Sequence, residues 1–211
     1  MSAPIESYTT LAGPFRYEPD KIKGSRFIAC IAPAETESEA QAFIQSIRDE
    51  FDDARHWCWA WRLGGAGDET RSNDDGEPSG SAGRPILLQL EGHEVTDVVA
   101  CVVRYFGGTK LGVGGLMRAY GGAAGQAFDR ADLKVVDVKI AIACGHAYGD
   151  SGAVSGVLAA WDLEAEDAEY GENVSFTVRV GIARVEEFQS AMQEATGARA
   201  KAIRTDRPEP E

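Results

Sequence analysis

The apolar positions change period several times along the chain, and each change marks an element. Residues 27–32 (FIACIA) form a short, almost continuous apolar run that reads as a buried strand. Ala40, Phe43, Ile44, Ile47 and Phe51 then recur three and four residues apart, which predicts a helix over Ser38–Asp53. Thr36 and Glu39 form a T-x-x-E capping box ahead of it, in which hydroxyl and carboxylate satisfy amides that a helix start leaves unpaired. Residues 56–63 (HWCWAWRL) alternate strictly and predict a strand. One face carries Trp57, Trp59 and Trp61, and the other carries His56, Cys58 and Arg62. Residues 64–84 hold little apolar matter and predict a loop of a length that is usually functional or disordered. Pro85–Leu90 and Val98–Tyr105 read as two further strands. A glycine-rich stretch, Gly107–Gly115, leads into a helix whose stripe of Leu116, Tyr120, Ala123 and Ala127 runs to about Arg130. Gly121, Gly122 and Gly125 sit inside that helix, where each costs about 1 kcal/mol relative to alanine. Close packing of the helix on a sheet is the expected compensation.

Beyond Leu133 the pattern predicts a strand at Val135–Cys144, a helix at Ser151–Trp161, strands at Leu163–Tyr170 and Val174–Val180, a helix around Phe188 and Met192, and a last strand at Ala198–Ile203. This βαββαβ order is the ferredoxin-like plan. The expected fold class is therefore α+β, with one domain over residues 15–133 and a ferredoxin-like C-terminal domain over 135–205. The polar tail from Asp206 is expected to fray.

A formal net charge of -13 changes the functional picture. Nonspecific affinity for nucleic acid comes from cations neutralising phosphates, so any polyanion site here must be a local patch. No apolar run approaches the roughly 20 residues needed to cross a bilayer. Met1–Tyr17 has no apolar core behind a basic start. The expected location is the cytoplasm, with no membrane partner. The four cysteines, Cys30, Cys58, Cys101 and Cys144, are far apart and lie in apolar strands, so they read as small buried hydrophobes rather than disulfides. His56 and Cys58 share a strand face, but no second ligand pair accompanies them. No metal site and no cofactor are expected.

Two stretches carry candidate chemistry. Residues 74–85 (DDGEPSGSAGRP) concentrate Asp74, Asp75, Glu77, Ser79, Ser81 and Arg84. Carboxylates so close together can hold a divalent cation or split acid and base roles. The calcium-loop template fails, because placing its glycine on Gly76 puts Arg71 and Ala82 at the first and last ligand positions. An ordered turn, with acids and hydroxyls capping backbone amides, explains the same residues. Residues 104–120 (RYFGGTKLGVGGLMRAY) run from a strand into a helix. Amides at a helix start and its dipole favour an anion, and Gly107, Gly108, Gly112, Gly114 and Gly115 allow close backbone approach. Arg104, Lys110 and Arg118 add three positive charges with no acid among them. Arg118 lies about 200° round the helix from Leu116 and points away from the core stripe. The P-loop is absent, since Leu111 follows Lys110, and Met117 stands where the dinucleotide fingerprint needs its third glycine. A serine hydrolase built from Ser79 or Ser81, His56 and Asp74 or Asp75 has the inventory but not the G-x-S-x-G elbow.

These stretches resemble the signature of the YigZ/IMPACT family, also described as uncharacterised protein family 0029. The matching residues are Lys23-Gly24-Ser25-Arg26-Phe27, residues 54–60 around His56 and Cys58, residues 74–83, and residues 104–120. Ser81 replaces the family's usual threonine and keeps the hydroxyl. The resemblance implies a bacterial two-domain member. Its first domain would have the fold of elongation factor G domain IV, of left-handed βαβ type and shared with the N-terminal half of GHMP kinases. Its second would resemble elongation factor G domain V. It also implies a link to translational control, because eukaryotic members blunt a starvation-sensing kinase by competing for its ribosome-associated activator.

Two classes of function follow. In the first the protein is a translation-associated binding protein. Its anion site at Arg104, Gly107, Gly108, Lys110, Gly112, Gly114, Gly115 and Arg118 would engage RNA phosphate or a small phosphorylated ligand, with RNA or a ribosome-associated protein as partner. In the second it is a hydrolase or phosphotransferase acting on a small phosphorylated or peptide-like substrate, with Asp74, Asp75 or Glu77 binding a metal or moving a proton and Arg104, Lys110 and Arg118 holding the anion; His56 is an accessory candidate of the site. An interaction module that uses the tryptophan strand as its contact face is a third reading.

Overall fold

A computed structural model describes residues 5–205. The tail expected to fray from Asp206 lies outside the described residues. Residues 7–136 form one unit, and residues 5–6 with 137–205 form another. In the first unit the strands are β1 (Ser7–Leu11), β2 (Phe15–Tyr17), β3 (Arg26–Pro33), β4 (His56–Leu63), β5 (Glu69–Asn73), β6 (Val98–Tyr105) and β7 (Leu133–Asp137). Its helices are α1 (Glu37–Glu50), α2 (Gly83–Gly92) and α3 (Val113–Phe128). An antiparallel five-stranded sheet has the order β2-β3-β6-β4-β5, and β1 pairs separately with β7.

The sheet is covered on both faces. Phe27, Ala29, Ile31, Cys58, Ala60 and Val102 pack with residues of α2 and α3. Ile28, Cys30, Cys101 and Val103 pack on the other face with Ile47 of α1 and Trp57. Central strand β6 therefore reads as an unbroken run, with residues 98–104 all buried. Thr36 caps α1 by accepting from the Glu39 amide at 3.2 Å. The Glu39 carboxylate reaches back to the Glu35 amide at 2.7 Å, one residue before the capping-box position.

The structure departs from the sequence pattern at four places. Pro85–Leu90 is not a strand but most of α2. Ile86, Leu87 and Leu90 turn inward while Leu88 is exposed, which is helical spacing. Pro85 sits in the first turn, where its missing N–H leaves no bond unmade. Residues 64–84 are not all loop. The polar segment Glu69–Asn73 pairs with β4 as an edge strand, held by backbone bonds rather than by an apolar face. The strand expected at Val135–Cys144 is interrupted at Val138 and divides between the two units. Two of the glycines inside α3, Gly121 and Gly125, meet a helix rather than a sheet. A Cβ on Gly121 would lie 3.4 Å from the Pro85 carbonyl oxygen, and one on Gly125 would lie 2.5 Å from Gln89 Oε1, both in α2.

The second unit contains β8 (Lys139–His146), α4 (Ser151–Ala160), β9 (Glu166–Tyr170), β10 (Val174–Gly181), α5 (Val185–Thr196) and β11 (Lys201–Arg204). The sheet order is β11-β8-β10-β9, with antiparallel neighbours throughout. Ile142, Cys144, Phe176, Val178 and Val180 pack with Val154 of α4 and with Phe188 and Met192 of α5. Gly197 ends α5 at φ 59°, a left-handed position that suits glycine. All four cysteines are free and buried. Among the described residues no helix is long and apolar enough to cross a membrane.

Candidate functional site

The two chemistry-bearing stretches meet in a buried polar cluster. His56, Arg104 and Phe27 form one cross-strand row over β4, β6 and β3. The row lies at the end of the sheet from which the glycine-rich stretch departs. Glu77 comes from the acidic turn and Tyr120 from the second turn of α3. Arg104 Nη1 and the Tyr120 hydroxyl both donate to Glu77 Oε1, the latter at 2.8 Å. His56 Nε2 lies 3.9 Å from the same oxygen. The side chains of Arg104 and Glu77 are 6% and 5% exposed, so this ion pair is screened by protein rather than water. Arg104 also lies over the rings of Phe27 and Phe106, both at 5.6 Å. Its Nε has no partner, and neither has the fully buried Ser81 hydroxyl.

The acidic turn is built by its own backbone. Asp74 Oδ1 accepts from the amides of Ala82 and Gly83 at 2.9 and 2.8 Å, and Oδ2 accepts from Gly80 at 2.8 Å. Asp74 thereby caps α2 from outside the helix, and Ala82 at its N-cap supplies no side-chain bond. Burial acts to raise the Asp74 pKa, but the three amides together outweigh it and leave the pKa lowered. Asp75 pairs with Arg48 at 2.6 Å and accepts from the Trp57 amide at 2.7 Å. Its own carbonyl lies 2.8 Å from His56 Nδ1. A carbonyl only accepts, so Nδ1 is the nitrogen that donates to it. Cys58 Sγ donates to the Asp74 carbonyl at 3.0 Å. Burial is the main reason its thiol pKa is pushed up. Tyr120 is likewise raised, by burial first and then by Cys58 and Glu77.

The three expected cations are not one patch. Arg104 is buried and neutralised by Glu77, because it ends the buried face of β6, where an uncompensated guanidinium would be costly. Lys110 and Arg118 remain exposed. The Arg118 guanidinium folds back over the first turn of α3, 3.7 Å from where a Gly114 Cβ would stand. Helix α3 starts at Gly112 with no side-chain cap and no acid in its first turn. The Gly112 φ of 71° is left-handed and suits glycine. Gly107 has a different duty. Its Cβ would lie 1.9 Å from the Gly24 carbonyl carbon, and its amide already donates to Ser25 Oγ at 3.1 Å. Ser79 is exposed on the acidic turn, and Arg84 pairs with Glu91 at 3.1 Å. Among the described residues no three His, Cys, Asp or Glu side chains are grouped to hold a metal ion.

Tyr120 belongs to the core stripe of α3 by its periodicity and joins the cluster through its hydroxyl. Its hydroxyl was the available signal, since a buried tyrosine needs a partner and the preceding motif supplies Glu77.

Fold and site together define a two-unit α+β protein in which a D-D-G-E-P turn and a glycine-rich strand-to-helix connection share one buried ion pair. The Impact N-terminal domain model matches residues 23–128, and a domain of unknown function, DUF1949, matches residues 146–199. The chain belongs to the IMPACT family. The family member YigZ of Escherichia coli is 37% identical over 193 residues, covering 89% of this chain and 93% of its own length. The IMPACT family member in the pol 5′ region of Thermus thermophilus is 44% identical over 159 residues, with 75% and 86% covered. A crystal structure described as that of a hypothetical protein is 33% identical, with a TM-score of 0.80 over 97% of this chain and 100% of that one.

Proposed function

We propose that this chain is a translation-associated regulatory protein that acts by binding, and that its first unit holds an anion at the start of α3. Membership of a family linked to translation regulation supports the general role. A relative from Saccharomyces cerevisiae named Protein IMPACT homolog is 32% identical over 100 residues, which is 45% of this chain and 38% of its length. The observation that carries the site is the uncapped, glycine-rich start of α3 with two exposed cations beside it in a protein of net charge -13. An RNA phosphate or the phosphate of a small ligand at that first turn would complete the cap, with Lys110 and Arg118 as its counter-charges. Arg104 and Glu77 act behind it as a fixed wall, since Tyr120 ties α3 to the pair.

A salt titration of RNA binding tests this reading. Replacing Lys110 and Arg118 together by alanine is expected to weaken binding and to lower the salt slope by about 1 for each phosphate no longer neutralised. Unchanged affinity and slope would remove the site.

One observation favours an enzyme as the second reading. Glu77, His56, Arg104 and Tyr120 form a desolvated acid–base group of the kind that active sites use. Backbone amides and Arg48 hold the oxygens of Asp74 and Asp75, which favours Glu77 for the acid–base role. A hydrolase and phosphotransfer screen with and without Mg²⁺ is the test. Turnover that is lost in Glu77→Gln while the variant stays folded supports it, and turnover indifferent to that change refutes it.

A further inference from the structure

Among the described residues, helices cover one face of the second unit's sheet and leave the other open. Helices α4 and α5 pack on the face that presents Ile142, Cys144, Phe176, Val178 and Val180. Ala202 of β11 joins that packing, so its neighbours Lys201 and Ile203 stand on the opposite face. The strand register gives the composition of the open face. One cross-strand row runs Lys201, Gly145, Ser175 and Glu169 over β11, β8, β10 and β9. The next row runs Ile203, Ala143, Thr177 and Glu166 in the same order.

These rows are open to solvent and unequal from end to end. Lys201, Ser175, Glu169 and Glu166 are exposed, and Ile203 is an apolar side chain with 58% of its surface exposed. The β11 edge carries the cation, the β9 edge carries two carboxylates, and β8 between them carries only Gly145 and Ala143. Glu166 is engaged by Arg179 at 3.4 Å. Lys201 and Glu169 have no ion-pair partner among the described residues. A two-fold rotation about an axis parallel to the strands exchanges the two edges of such a face. It lays β11 over β9 of a second copy and β8 over β10, so Lys201 meets Glu169 of the second copy and the contact occurs twice. Gly145 and Ala143 then lie against Ser175 and Thr177, where their small size lets the two sheets approach. The pattern is self-complementary under this one operation, as an isologous interface requires.

We propose that the open face of the second unit is a homodimer interface, with two copies packed sheet on sheet about a two-fold axis along the strands. The packing is of the aligned kind, and it covers Ile203. Strands β8 and β10 are eight residues long. Four strands about 4.8 Å apart and about 25 Å long present at most about 500 Å² per copy. About 1,000 Å² in total lies at the low end for specific association, so the dimer is weak and forms with rising concentration. The net charge of -13 on each copy opposes association elsewhere and confines it to a face that bears both signs. The interface lies in the second unit and does not depend on the anion site at α3.

Sedimentation equilibrium of the full chain at about 0.15 M salt, from about 1 to 500 µM, tests the proposal. The mass is expected to rise from one copy toward two across that range. Lys201→Glu sets like charges against each other twice per dimer and should weaken association by about tenfold, and Glu169→Lys should do the same. The two changes together restore the pairing with its sign reversed and should return the affinity to within about threefold of wild type. Lys134→Glu, an equal charge change in the first unit, should leave association unaltered. A chain that stays monomeric at about 500 µM overturns the proposal, as does a dimer indifferent to both single reversals. A double variant no tighter than the singles also overturns it, and so does an equal loss in Lys134→Glu, which would make the effect one of net charge alone.

Discussion

Removing the Asp74 carboxylate should unfold the acidic turn and loosen α2 together. In the native state three amides, those of Gly80, Ala82 and Gly83, point at its two oxygens within 2.8–2.9 Å. Ala82 and Gly83 are buried, so water cannot replace the missing acceptor without local opening. Loss of a helix cap alone costs about 0.5–2 kcal/mol. A hydrogen bond to a charged group contributes about 1.5–3 kcal/mol, and bonds sharing one carboxylate are not additive. Asp74→Ala should therefore destabilise the unit by about 3 kcal/mol. Asp74→Asn, which keeps one acceptor but presents an NH₂ to a donor, should cost roughly half of that. Urea unfolding followed by tryptophan fluorescence is the assay, since Trp57, Trp59 and Trp61 lie on the strand beside this turn. The pH dependence has a definite sign. A carboxylate whose pKa is lowered on folding stabilises above its unfolded value of about 3.9. That contribution is lost as pH falls through the folded value, so the gap between wild type and Asp74→Asn should be full at neutral pH and close in acid. An Asp74→Ala protein within about 0.5 kcal/mol of wild type would refute the capping argument.

Three further outcomes are expected. Gly122→Ala should stabilise by up to about 1 kcal/mol in thermal melts, because its Cβ would meet nothing within 4 Å, whereas Gly107→Ala should fail to fold against the backbone of Gly24. Glu77→Gln leaves Arg104 buried without its counter-charge and should cost about 3–5 kcal/mol in urea unfolding, while replacing both residues by methionine should recover part of the loss. Cys58 and Cys101, whose pKa values burial raises, should not react with a thiol reagent in the native protein and should react on unfolding; fast native labelling would contradict their burial.

The elements legible in the sequence were those whose two faces differ. The alternation of β4, the stripe of α3 and the Thr36 box each carry their own period, and all three stand where the pattern put them, within a few residues. Helix α2 was not legible because Pro-Ile-Leu-Leu-Gln-Leu is too short to separate a buried strand from a helix. The cap that decides the matter is Asp74, eight residues before Ala82. Strand β5 has no apolar face at all, and only its backbone bonds to β4 define it. At the site, the sequence revealed which residues would gather but not which way they turn. Arg104 reads as one of three cations in a row, yet its partner Glu77 lies 27 residues earlier in the chain, and only the folded sheet brings them together.

The pairing of β1 with β7 joins the first and last strands of the N-terminal unit. The polypeptide thus comes in and goes out of that unit at neighbouring points, as through a single doorway. Splicing residues 7–136 into a surface turn of an unrelated host, or cutting them open at a loop and rejoining their ends, is accordingly expected to leave the five-stranded sheet in place.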